Sequence, residues 1–198
     1  MTAFWYVANA TLSQYEAFVA EMGKEGAEPL SLDLTLIPAG ATAIELFASI
    51  WVRRPGVEVS GVEPLLVTDD VAYLSQWLEM QRLQERYPRL VSAYEYGGTT
   101  HFSVLAWPGR RAELDHGVPA RWLGGSSRYL RARATRGERR SFEWWHPRSV
   151  SLYGTDTGGR EGLAGVRAAL VWEAEPPDAR RYWNVFVTRG ETHFARVR

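Results

Sequence analysis

The sequence predicts an α+β fold built from three pseudo-repeats, each a strand, a helix and two strands, which continue one curved antiparallel sheet or partial barrel with the helices on one face. Three observations carry this expectation. LSQY at 12–15 and LSQW at 74–77 are followed by the same succession of apolar segments. PRSVSLY from Pro147 matches PRLVSAY from Pro88 at Pro88/Pro147, Arg89/Arg148, Val91/Val150, Ser92/Ser151 and Tyr94/Tyr153. Trp51, Trp107 and Trp172 close the equivalent strands, as a repeated packing layer requires.

The elements follow in chain order. Each unit opens on a short apolar strand: FWYVA at 4–8, PLLVT at 64–68 and ARWLG at 120–124. A helix comes next, capped by an oxygen-bearing side chain: Thr11 or Ser13, Asp69 or Asp70, Ser126 or Ser127. In the first helix Leu12, Tyr15, Phe18, Val19 and Met22 recur at three and four, marking one buried face, and Gly23 and Gly26 end it. The second helix repeats the pattern with Leu74, Trp77, Leu78 and Leu83 and stops before Pro88. Two strands then follow. In the first unit they are the alternation Leu30, Leu32, Leu34 and the apolar run from Leu46 to Val52, with LIPAG at 36–40 as a longer loop between them.

The units span about residues 4–54, 62–109 and 120–175, with a C-terminal hairpin at 181–198. Units of roughly 50 residues are too small to fold singly, so they must share one core within a single domain. At 198 residues with 45% hydrophobic content the whole chain has enough apolar surface for that core.

Composition excludes several chemistries. Formal net charge is zero, which removes the field that nonspecific binding to nucleic acid needs. Cysteine is absent, so thiolate nucleophiles, disulfides and sulfur-ligated zinc are excluded. Lys24 is the only lysine and fits no phosphate loop, Schiff-base or acylation motif. No basic leader and no long apolar run is present, so a cytoplasmic protein without membrane contact is expected.

The strings TLSQYEAFVAEMGKEG with FASIWVRRPG, and LSQW with FSVLAW, resemble the bacterial tandem repeat domain found in the non-catalytic N-terminal half of polyglycine hydrolases and related serine hydrolases. The resemblance covers about half the chain and implies a binding or accessory role. It does not imply peptidase activity, because nothing here corresponds to the hydrolase domain of those proteins.

Two sets of residues are candidates for chemistry. The stretch 121–148 concentrates arginine beside aromatic residues, and guanidinium forks bind carboxylate or phosphate while stacking on rings. Arg131, Arg139 and Arg140, with Trp144 and Trp145, are the expected ligand-binding residues. The alternative is an enzyme acting on a peptide, a hydrolase or tailoring enzyme, with His101, His116 or His193 as general base. No G-x-S-x-G elbow and no histidine metal motif accompanies them, so no metal and no cofactor is expected. The expected partner is a peptide or small anion. A scaffold that pairs with another chain is the third reading, and the strand edge ending in THFARVR makes a homodimer one way to cover it.

Overall fold

The computed structural model describes residues 2–39, 42–54, 65–123, 144–154, 165–175, 182–188 and 191–197. Strand β1 (Ala3–Ala10) leads into helix α1 (Leu12–Lys24), followed by β2 (Glu28–Pro29), β3 (Asp33–Ala39) and β4 (Thr42–Arg53). Strand β5 (Leu65–Thr68), helix α2 (Val71–Leu83), β6 (Arg86–Tyr96) and β7 (Thr99–Pro108) come next. They are succeeded by β8 (Ala112–Pro119), a 3-10 turn (Ala120–Leu123), β9 (Trp144–Tyr153), β10 (Arg167–Glu175), β11 (Tyr182–Thr188) and β12 (Glu191–Val197). The class is α+β with antiparallel pairing throughout.

The helices form where local chemistry directs. Thr11 and Gln14 make the capping box of α1, and Asp70 caps α2 by accepting from the amides of Ala72 and Tyr73 at 2.8 and 3.0 Å. Helix α1 ends in a Schellman motif, in which Ala27 N–H donates to the Met22 carbonyl and Gly26 takes φ +64°. Its buried face is Tyr15, Val19, Met22 and Gly23, so Gly23 is part of the packing face rather than the stop. Helix α2 buries Leu74, Trp77 and Gln81. Leu83, expected on that face, is 76% exposed, because nine residues beyond Leu74 is half a turn away from the stripe.

The expectation of one curved sheet or partial barrel is corrected. Among the described residues there are three separate sheets and a two-stranded ribbon, β11–β12, and none is closed. The orders are β1-β4 with β2 and β3 both on β4, then β5-β7-β6, then β8-β10-β9. In each sheet the strand that comes last in the chain lies in the middle. Helix α1 rests on β1 and β4, and α2 on β5 and β6.

Side chains end the ladders at the seams. Leu34 N–H of β3 donates to Ser92 Oγ of β6 at 3.0 Å, where a continuous sheet would offer a carbonyl. Across the next seam, Val91 and Ala93 N–H of β6 donate to Ser149 and Ser151 Oγ of β9 at 3.2 and 2.8 Å. Each hydroxyl returns a bond to the carbonyl of the same residue, at 3.4 and 3.2 Å. All of these bonds span 58 residues of sequence. A strand edge satisfied by hydroxyls has no amide left to recruit a neighbouring strand, and the sheet stops there.

Two other expectations change. Residues 120–123 form the 3-10 turn, and the strand of that region is β8 at 112–119. Its pairing with β10 extends over AELDHGVP despite weak apolar alternation. Residues Leu36 to Ala39 of the LIPAG stretch are not a loop, since they pair with Glu45 to Thr42 and lengthen the β3–β4 hairpin. Leu30 also leaves the buried alternation and is 41% exposed, while Leu32 and Leu34 are buried.

The core runs across the seams. Tyr15, Val19, Phe47 and Trp51 pack with Leu90, Leu105 and Trp107, and the Trp51 and Trp107 rings lie 6.1 Å apart. Trp172 anchors a further cluster with Val118, Leu123, Trp145 and Leu170.

Candidate functional site

Strand irregularities aim two arginines at one point. In the β6–β7 ladder the register jumps between Pro88 and Leu90, which leaves Arg89 as the extra residue of a bulge. In the β9–β10 ladder Val171 pairs with Ser149 and Trp172 with Pro147, so Arg148 is likewise skipped. Both follow a proline, whose missing N–H cannot complete the ladder. Both turn to Glu173 on β10.

Arg89 Nη1 pairs with Glu173 Oε2, Arg148 Nε stands 3.9 Å from that oxygen, and Arg110 Nη1 stands 3.8 Å from Oε1. The side chains of Arg89 and Glu173 are only 9% and 7% exposed, whereas Arg148 and Arg110 are 34% and 58% exposed. Burial depresses the Arg89 guanidinium below its ordinary range, the charges of Arg148 and Arg110 add to this, and Glu173 opposes it. Gly109 makes the approach possible. It takes φ +130°, and a Cβ there would lie 2.7 Å from Arg89 Nη2.

These groups line a cavity of about 250 Å³ with Trp107, Pro29 and Glu28. Glu28 is 3.0 Å from Arg54, so its charge is matched outside the cluster. One carboxylate thus answers three guanidinium groups. The arrangement can take an anionic oxygen pair between Arg110 and Arg148, in a space too small for a large ligand.

The sequence-predicted residues fall elsewhere, in part. Arg131, Arg139 and Arg140 lie outside the described residues, as does the side chain of Trp144. Trp145 is a core residue at 4% exposure, with the Arg111 guanidinium 5.5 Å from its ring centre. Of the arginine-rich stretch, Arg148 reaches the cavity. Arg89 and Arg110 were not singled out, although the Pro-Arg pair repeated at 88–89 and 147–148 and the PGR turn at 108–110 were visible signals.

The histidines are dispersed. His101 stacks on Tyr94, its cross-strand partner, with ring centres 4.8 Å apart, and its Nδ1 stands 4.0 Å from Glu45. His116 is exposed on β8 and meets Phe102 edge-on at 5.7 Å. His193 lies on β12 opposite Phe186, and its side chain lies outside the described residues. Among the described residues no group of three or more His, Asp or Glu side chains could hold a metal ion. No helix among them is long and apolar enough to cross a membrane. Comparison with protein-family models, with curated proteins and with solved structures finds no match.

Proposed function

We propose that the protein is a non-catalytic binding or accessory protein that takes a small carboxylate, free or at the end of a peptide, beside Glu173. The surplus of positive charge in the cavity carries this reading: Arg89, Arg110 and Arg148 share a single carboxylate at one half-buried point. Arg89 is paired with Glu173, whereas Arg110 and Arg148 stand 3.8 and 3.9 Å from that carboxylate and keep guanidinium donors that a further anion can take, and the cavity leaves room for one.

The same strand order in three sheets, and seam bonds that recur at a separation of 58 residues, support the reading of the chain as pseudo-repeats. The resemblance to the tandem repeat domains of the non-catalytic half of polyglycine hydrolases is a separate ground for a binding or accessory role and rests on the sequence strings alone. The enzyme alternative draws less from the site, since His101 at 4.0 Å is beyond hydrogen-bond reach of Glu45.

The test is calorimetric titration with acetate, succinate and an N-acetylated tripeptide with a free C-terminus. Arg148→Ala is expected to weaken binding about tenfold or more, and Arg148→Lys to restore it only in part, because lysine keeps the charge and loses the planar fork. Unchanged affinity in Arg148→Ala and Arg110→Ala sinks the proposal.

A further inference from the structure

We infer that the groove between the β3–β4 and β6–β7 hairpins is a second binding site, for an organic ammonium ion that carries a short apolar body. The groove has a volume of about 510 Å³ and opens at the far end of β6 from the arginine cavity. Tyr94 and Arg89 are five residues apart on that strand, roughly 17 Å by strand rise.

Glu45 defines its chemistry. Its Oε1 accepts the Tyr94 hydroxyl at 2.8 Å and faces His101 Nδ1 at 4.0 Å. Its other oxygen makes no hydrogen bond among the described residues, and the side chain is 29% exposed. Among the described residues no arginine or lysine lines the groove, in contrast to the cavity at Glu173. Asp69 adds a second negative charge that bears on Tyr94. The start of α1, at Thr11 and Leu12, brings a field of opposite sign, but a helix end amounts to about half a charge against the full charge of Glu45.

The walls are apolar and aromatic. Leu36 and Ile44 come from the first hairpin, and Ile44 is 46% exposed. Tyr96 and the stacked Tyr94 and His101 rings come from the second, where Tyr96 is 40% exposed. An anion is repelled here. A neutral apolar molecule strips water from Glu45 and gives nothing in return. An ammonium group on an apolar chain satisfies both parts: a charge-assisted hydrogen bond to the free carboxylate oxygen, and attraction to the tyrosine faces for its cationic head while its chain lies on Leu36 and Ile44.

The experiment titrates the isotope-labelled full chain with hexylammonium, hexanol and hexanoate at one pH and follows amide shifts. Hexylammonium is expected to give saturable shifts at Ile44, Tyr94, Tyr96 and His101, with hexanol at least about tenfold weaker and hexanoate silent. Glu45→Gln, which keeps an acceptor for Tyr94, is expected to weaken hexylammonium about tenfold or more, and Tyr94→Phe to weaken it less. Hexanol binding as well as hexylammonium overturns the inference without any variant. So does full affinity in a folded Glu45→Gln protein, or no saturable shift up to about 20 mM hexylammonium.

Discussion

Arg89 and Glu173 show what a buried charge demands of its neighbours. Glu173 is the carboxylate that lets Arg89 remain charged at 9% side-chain exposure, so removing it leaves an uncompensated guanidinium in the interior. Glu173→Gln is expected to destabilise the fold by about 3–5 kcal/mol in urea unfolding, well beyond an average point substitution. Tyr15 presents the opposite case, an acid held neutral by burial. Burial pushes its hydroxyl up to about 12, and nearby Ser49 and Trp51 offset this only in part. Between about pH 10 and 12 the unfolded chain gives up this proton while the folded chain keeps it, so stability falls as pH rises, by about 2–3 kcal/mol in total. The contribution is fully present below the unfolded value. The hydroxyl has no hydrogen bond of good geometry, so Tyr15→Phe is expected to cost little at neutral pH and to flatten the alkaline decline. Urea titrations at neutral pH and near pH 11 measure both effects.

At the scale of elements, the seams are the distinctive feature. Ser92 is 4% exposed and satisfies an amide of the neighbouring sheet, so Ser92→Ala is expected to cost about 1–3 kcal/mol through the stranded Leu34 N–H. Ser103 is a matched control, since it is fully buried with no hydrogen bond to its hydroxyl, and Ser103→Ala is expected to be close to neutral. Equal losses for the two serines, compared by urea midpoint, would contradict the seam argument. Bulges do comparable work at the site. A regular β6 would point Arg89 along the alternation of the strand; the extra residue re-aims it at Glu173, and Gly109 clears the space. Gly109→Ala is expected to displace the guanidinium and weaken carboxylate binding along with stability, read by the same calorimetry.

For the whole molecule, the core decides cooperativity. The cluster that holds α1 to its sheet includes Leu90, Leu105 and Trp107 from the next sheet, and Tyr153 of the third sheet packs on Phe102 of the second at 5.8 Å. No sheet completes its packing alone. A fragment of residues 1–58 is therefore expected to show no cooperative thermal transition by circular dichroism, while the full chain unfolds with one. A sharp transition in the fragment would show that the first sheet is self-sufficient.

Much of this was written in local chemistry. Both helices among the described residues, their caps at Thr11 and Asp70 and the buried faces through Tyr15 and Leu74 follow from side-chain type and a period of 3.6, which depend only on near neighbours, while the third helix, expected after Ser126 or Ser127, lies outside the described residues. The three tryptophans read as one packing layer are all buried for the same reason, alternation along a strand. What local pattern does not carry is where a strand edge ends and where a side chain turns at a bulge. Nothing in the serines of LVSAY or RSVSLY tells that their hydroxyls will take the place of a carbonyl in an adjoining sheet, because that bond joins residues 58 apart. Arg89, Arg148 and Glu173 were equally silent as a group, since convergence on one carboxylate is decided by how two bulged strands meet. Sequence by itself determined the two helices at α1 and α2, their caps and most of the strands that flank them, but not β8 or the length of the β3–β4 hairpin. Tertiary structure alone decided that the sheets stay separate and that three arginines share one carboxylate, because both depend on contacts between residues that no local period connects.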